Sequence, residues 1–226
     1  QIDQPEVQDV LRDFRRLTDG YEGDRVLIGE AYLPLDKLMA YYGEGAGVHL
    51  PFNFQLIGAE WNAAFLAELI GRYETLLPAG GWPNWVLGNH DRPRVASRFG
   101  RAAAPVAMML LLTLRGTPTL YYGDELGLAG VVIPPELVQD PWEKRVPGHG
   151  LGRDPVRTPM PWTPRENAGF TSGAPWLPLN ADFETVNVAT EYADPASLLN
   201  LTRALLALRR AEPALSLGGY GSIQAH

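Results

Sequence analysis

Val7, Val10, Leu11, Phe14 and Leu17 recur at helical spacing, which predicts a helix that opens behind Asp3 and Pro5, a cap and a first-turn proline, and stops near Asp19-Gly20. The pattern then shortens. Val26-Leu27-Ile28-Gly29 is a compact apolar run of the kind that forms a buried strand, and Glu30 stands at its end. A second run at 49–54 precedes a long helical stripe over 59–77, carried by Trp61, Phe65, Leu66, Leu69, Ile70 and Tyr73 and ended by Pro78 and Gly80-Gly81. A third strand is predicted at 84–88, delivering Asn89-His90-Asp91. A helix at 103–114 then leads to a fourth strand at 117–122.

Strand followed by helix, repeated about every 30 residues, signals βα units around a parallel sheet. The polar groups come just after the strands, where the loops of a (β/α)8 barrel build an active site. A doubly wound sheet also places its site at strand ends, so periodicity alone admits both. From 127 to 195 the pattern changes to one rich in Pro, Gly and Trp with no helical period. A loop of this length is usually functional or disordered, and Trp142, Trp162 and Trp176 within it point to an ordered one. A last helix is predicted at 196–210, with Leu198, Leu199, Leu205, Leu206 and Leu208.

Composition narrows the function classes. Hydrophobic residues make up 46% of the 226 positions, enough for a substantial core. The 19 basic and 26 acidic residues leave a net charge of -7, which disfavours nucleic acid, whose phosphates need clustered Lys and Arg. The absence of cysteine excludes disulfides and thiolate-held metals, and no metal or cofactor is expected. The longest apolar run, 106–114, is too short to span a bilayer. Residues 1–10 are polar and acidic rather than a signal peptide. The expected location is cytoplasmic, with any targeting segment lying upstream of these residues.

Glu30 and Asp91 are the candidate chemistry. A carboxyl at the end of a buried strand is partly desolvated and so retains a proton for a leaving group. Taken alone, Glu30 reads equally as a structural partner of an Arg, and Gly-Asn-His-Asp reads equally as turn chemistry. Two carboxylates at different strand ends are nonetheless what glycoside hydrolysis uses: one protonates the glycosidic oxygen while others stabilise an oxocarbenium-like transition state. His90 beside Asp91 adds a donor for sugar hydroxyls. Arg157, in Arg-Thr-Pro-Met-Pro-Trp, can clamp a hydroxyl or carboxylate, with Trp162 as a stacking face.

Three segments carry a resemblance. Val26-Leu27-Ile28-Gly29-Glu30 resembles the fifth-strand motif of the α-amylase superfamily (glycoside hydrolase family 13), which ends in the general acid/base. Gly88-Asn89-His90-Asp91-Arg92-Pro93-Arg94 resembles its seventh-strand motif, which holds the transition-state-stabilising Asp. Gly116-Thr117-Pro118 through Tyr121-Tyr122-Gly123-Asp124-Glu125 is similar to its eighth-strand segment. Asp140-Pro141-Trp142-Glu143-Lys144, Arg153-Asp154-Pro155 and Arg157-Thr158-Pro159-Met160-Pro161-Trp162 resemble the α-glucosidase and oligo-1,6-glucosidase branch.

The resemblance implies an α/β fold, a partial (β/α)8 TIM barrel of about strands five to eight. Residues 1–213 would form this half-barrel, including the 127–195 loop, and 214–226 a linker or the start of a further domain. It implies a retaining, exo-acting α-glucosidase with Glu30 as acid/base and Asp91 as stabiliser. Asn89, His90 and Arg157 would bind a small α-glucoside or oligosaccharide. Asp124, though it follows a strand, matches a structural position. The family's nucleophile is an Asp on the fourth strand in a Gly-x-Arg-x-Asp-like motif, and no such motif occurs here. Four βα units cannot close an eight-stranded barrel, so three accounts stand: a fragment completed by an N-terminal half-barrel, a half-barrel that forms a homodimer, or a non-catalytic carbohydrate-binding or scaffold module.

Overall fold

The structure, a computed structural model, describes residues 3–223, so residues 1–2 and 224–226 of the predicted segments lie outside the described residues. The helices are α1 (Glu6–Asp19), α2 (Leu35–Ala40), α3 (Ala63–Leu76), α4 (Val95–Phe99), α5 (Ala104–Thr113), α6 (Pro141–Arg145), α7 (Val188–Ala193), α8 (Leu198–Ala211) and α9 (Ala214–Leu217), joined by short 3-10 turns. The strands are β1 (Ile28–Gly29), β2 (Leu50–Pro51), β3 (Asn84–Val86) and β4 (Thr117–Thr119). Contacts divide the chain into two compact units. The first takes Gln1–Val86, Leu114–Thr119 and Glu212–His226, and the second takes Leu87–Thr113 and Leu120–Ala211. No helix among the described residues is long and apolar enough to cross a membrane.

The first unit holds all four strands found among the described residues. β1 pairs with β2 and β3 with β4, both in parallel, and a parallel bridge between Asn53 and Trp85 links the two pairs. The strands run in the order and direction that the βα pattern predicts, but each is shorter than its apolar run. The core forms where α3 meets β3. Leu66, Ile70 and Tyr73 are the buried face of α3, and the Tyr73 and Trp85 rings lie 4.8 Å apart at 55°. Buried Tyr and Trp need partners for their polar tips: the Tyr73 and Tyr42 hydroxyls lie 2.8 Å apart, and Trp85 Nε1 donates to Arg115 O at 2.7 Å. Asn62 caps α3, its Oδ1 accepting from Phe65 N at 3.1 Å.

Three expectations need correction here. β1 is not a buried strand: Val26 is 59% and Ile28 53% exposed, and among the described residues its ladder partner is β2 alone. Glu30, which follows it, is exposed as well. Asp3 does not cap α1; its carboxylate pairs with Lys37 Nζ at 2.9 Å, and Pro5 occupies the cap position without a side-chain hydrogen bond. The α1 stripe is amphipathic as predicted, yet Val10, Phe14 and Leu17 are all exposed.

The second unit is built on α5 against α8. Met108 and Leu112 of α5 pack with Leu205, joined by Leu198, Leu201 and Leu206, and Arg209 Nη1 donates to Leu112 O at 2.9 Å. The 127–195 loop is ordered, as its tryptophans suggest, but chiefly by other residues. Leu126, Leu128 and Met160 form a second core with Val186, Val188 and Leu199. Buried asparagines join the turns: Asn180 Nδ2 donates to Ala129 O at 2.8 Å. Asn187 caps α7 through Thr190 N and donates its own amide to Phe183 O. Trp142, Trp162 and Trp176 are themselves exposed.

Candidate active site

The turn after β3 carries the site. Asn89 is buried, and its Oδ1 accepts from Asp91 N at 3.0 Å, an Asx-type turn that aims the Asp91 side chain outward. Three side-chain nitrogens then converge on Asp91 Oδ1. Arg157 Nη2 lies at 2.9 Å, His90 Nε2 at 3.4 Å and Arg153 Nη1 at 3.5 Å. Arg157 also donates from Nε to His90 O at 3.0 Å. One planar guanidinium therefore grips both the backbone and the carboxylate of the turn, a geometry that suits Arg and not Lys.

Arg153 is held from behind. Its Nε donates to Asp140 Oδ2 at 2.6 Å, and its backbone N donates to the same oxygen at 3.0 Å. The Arg153 side chain holds the Asp140 carboxyl down to about 2, against the opposing effect of burial. Asp140 Oδ1 caps α6 through Trp142 N at 2.8 Å. Asp154 Oδ2 accepts from Gln139 N and Asp140 N at 2.6 and 2.8 Å. Glu143 bridges Gly148 N and Gly152 N. These three carboxylates are occupied by main-chain N–H groups, so they fasten the loop and are poorly suited to hold a cation. A cavity of about 1050 Å³ lies inside this unit, with Asp91 and Arg153 on its wall beside Val131, Ile133 and Leu151.

Beneath the turn lies a buried charge. Asp124 is 6% exposed, which accords with a structural position. Burial pushes its carboxyl up to about 7, opposed by the Arg94 cation and reinforced by Glu125. Arg94 Nη1 stands 3.8 Å from Asp124 Oδ1.

Within the second unit the structure brings Asn89, His90, Asp91 and Arg157 together. Glu30 belongs to the first unit, exposed directly after β1. Asn89 shapes the turn with its side-chain oxygen, the turn chemistry that its motif also admits. The Arg153–Asp140 fork was present in the sequence only as two short motifs thirteen residues apart, whose pairing nothing in the spacing reveals.

A parallel strand followed by a carboxylate turn under an arginine fork is the arrangement expected of an α/β scaffold with its polar groups at the strand ends. The sequence model described as "Alpha amylase, catalytic domain" matches residues 1–218, and the chain belongs to that family. It is 37% identical to the alpha-glucosidase of Apis mellifera over 220 residues, covering 92% of this chain and 38% of that protein. It is also 37% identical to Maltase A1 of Drosophila melanogaster over 230 residues, covering 96% of this chain and 40% of that protein. Among solved structures, an alpha-glucosyl transfer enzyme, XgtA, superposes with a TM-score of 0.86 at 38% identity, covering 94% of this chain and 40% of that one. The chain therefore spans about two fifths of the length of the curated relatives it matches, and its fold is that of part of a (β/α)8 barrel.

Proposed function

We propose that this chain supplies the acid/base and sugar-gripping part of a retaining, exo-acting α-glucosidase. Its substrates would be maltose or short malto- and isomalto-oligosaccharides. The observation that carries the reading is the Arg157–Asp91 pair at 2.9 Å, with His90 alongside. It supplies one fixed acceptor and a set of donors for adjacent hydroxyls of a terminal glucose. The similarity to an alpha-glucosidase and a maltase supports the same assignment.

In this mechanism Glu30 protonates the glycosidic oxygen as the bond breaks, then takes a proton from the incoming water. Asp91 stabilises the positive charge that develops on the sugar ring. The nucleophile of a retaining enzyme would come from a complementary segment bearing strands one to four. Strands β1 to β4 would then be the fifth to eighth of the closed barrel. Support for such a partner comes from the exposed apolar side chains of α1 and β1, which a complementary half or a second copy would cover. The likeness to an alpha-glucosyl transfer enzyme supports a second outcome for the same intermediate, capture by a sugar hydroxyl instead of water.

The deciding experiment measures hydrolysis of p-nitrophenyl α-glucoside by the chain alone and after addition of a folded N-terminal half. The expected result is little turnover alone and restored turnover in the mixture, abolished by Glu30→Gln. Turnover that survives Glu30→Gln removes Glu30 from the chemistry. Failure of a folded complementary half to restore turnover leaves a carbohydrate-binding or scaffold module.

A further inference from the structure

Arg94 lies three residues after Asp91 and is 0% exposed. Its guanidinium is directed at the main chain: Nη1 donates to Tyr122 O at 2.6 Å and Nη2 to Val156 O at 2.9 Å. The Tyr121 and Tyr122 rings stand against the cation, with centroids 5.0 and 4.8 Å from its Cζ. Contact of this kind stabilises a buried guanidinium that has little water around it. The two tyrosines then reach the same short stretch of loop. Tyr121 Oη donates to Val156 O at 3.0 Å, and Tyr122 Oη donates to Thr158 O at 2.7 Å.

Val156 and Thr158 flank Arg157. The carbonyl on each side of Arg157 is therefore fixed, the first by Arg94 and Tyr121 and the second by Tyr122. Between them Arg157 extends to His90 O and Asp91 Oδ1. We propose that Arg94, Tyr121 and Tyr122 form a positioning clamp that sets the Arg157 guanidinium against Asp91, and so fixes the affinity of the sugar-binding turn. The second half of this statement rests on the glucosidase reading; the first does not. The clamp works because Arg is planar and can donate from two nitrogens at once. A lysine at position 94 retains the charge but satisfies only one carbonyl in that geometry.

The test compares wild type, Tyr122→Phe and Arg94→Lys by the solvent exchange of the Arg157 Nε–H, resolved by ¹⁵N NMR, with backbone amides of α5 and α8 as internal references. Tyr122→Phe retains the ring against Arg94 and removes only the hydroxyl, so it folds even if an Arg94 variant does not. The expected result is Arg157 exchange accelerated by roughly tenfold in Tyr122→Phe, as for one lost hydrogen bond, with α5 and α8 unchanged. Unchanged Arg157 exchange in folded Tyr122→Phe overturns the clamp. Equal acceleration across α5 and α8 also overturns it, because that is the signature of general destabilisation. A parallel titration with D-glucose follows the Arg157 signal. No perturbation by glucose in wild type would retire the sugar-binding reading while leaving the clamp to stand on the exchange data.

Discussion

Gly88 lies so close to Asp124 that a methyl group on its Cα would stand 2.5 Å from Asp124 Oδ2. The residue that opens the Asn89-His90-Asp91 turn is therefore in contact with a buried carboxyl that cannot swing into solvent. Gly88→Ala must push either the turn or Asp124. Overpacking of this kind costs about 1–3 kcal/mol, read as a lowered melting temperature. The same substitution in an Asp124→Ala background should cost less than half as much. An equal cost in both backgrounds would show that the contact is not the cause.

Asp124 itself predicts a pH dependence. Burial raises its carboxyl to about 7 in the folded chain, whereas in the unfolded chain it titrates near pH 4. Over that window the folded state holds the extra proton, so stability falls as pH rises and levels off above about 7. Asp124→Asn mimics the protonated group and removes this slope. Urea unfolding of both proteins at several pH values should give a difference that grows in favour of the variant from about pH 4 to about 7. A difference that stays flat would remove Asp124 as its source.

Asp140 predicts the opposite sign. Arg153 holds its carboxyl down to about 2, so the folded state favours the ionised form. The contribution is full above the unfolded value near pH 4 and is lost as pH falls toward 2. Asp140→Asn should destabilise the protein at pH 7 by on the order of 2 kcal/mol, the loss of a charge-assisted hydrogen-bond set. The gap should narrow steadily below about pH 4. A gap of constant size down to the acid limit would assign the effect to shape rather than charge.

Arg157→Lys tests the fork at the turn. A lysine cannot donate in the same plane to His90 O and Asp91 Oδ1, so the turn loses one of the two bonds it now has. Under the glucosidase reading, affinity for glucose measured by calorimetry should fall about tenfold, while stability changes by less than about 1 kcal/mol. Wild-type affinity in Arg157→Lys would exclude the fork as a determinant of binding.

Much of the frame could be read from apolar spacing. Trp85 and Val86 are fully buried, as the third run predicts, and the α3 stripe buries Leu66, Ile70 and Tyr73. What escaped has a common cause: it depends on partners far away in sequence. Arg94 looks like a surface residue until Tyr121, Tyr122 and Val156 surround it. The loop over 127–195 has no period because carboxylates and asparagines order it by binding main-chain groups, as Asp154 and Asn180 do. The burial expected at Val26-Leu27-Ile28 and Glu30 fails for the converse reason. An apolar run signals a strand, but burial requires a second layer over it, and Val26 and Ile28 stay more than half exposed.

The first unit is assembled from three separate stretches, and Leu120–Ala211 lies between the second and the third. β4 joins β3 from the second stretch, and Gly116 N then takes Ser216 O from the third. On a ribosome, where residues emerge in order, α3 and β3 can pack early, but the Gly116–Ser216 bond must wait until the whole of Leu120–Ala211 has been made. A loop that long closes slowly compared with a helix. The nascent chain would hold its β3–β4 edge ready while the intervening residues emerge, and that interval is when a chaperone has most to protect.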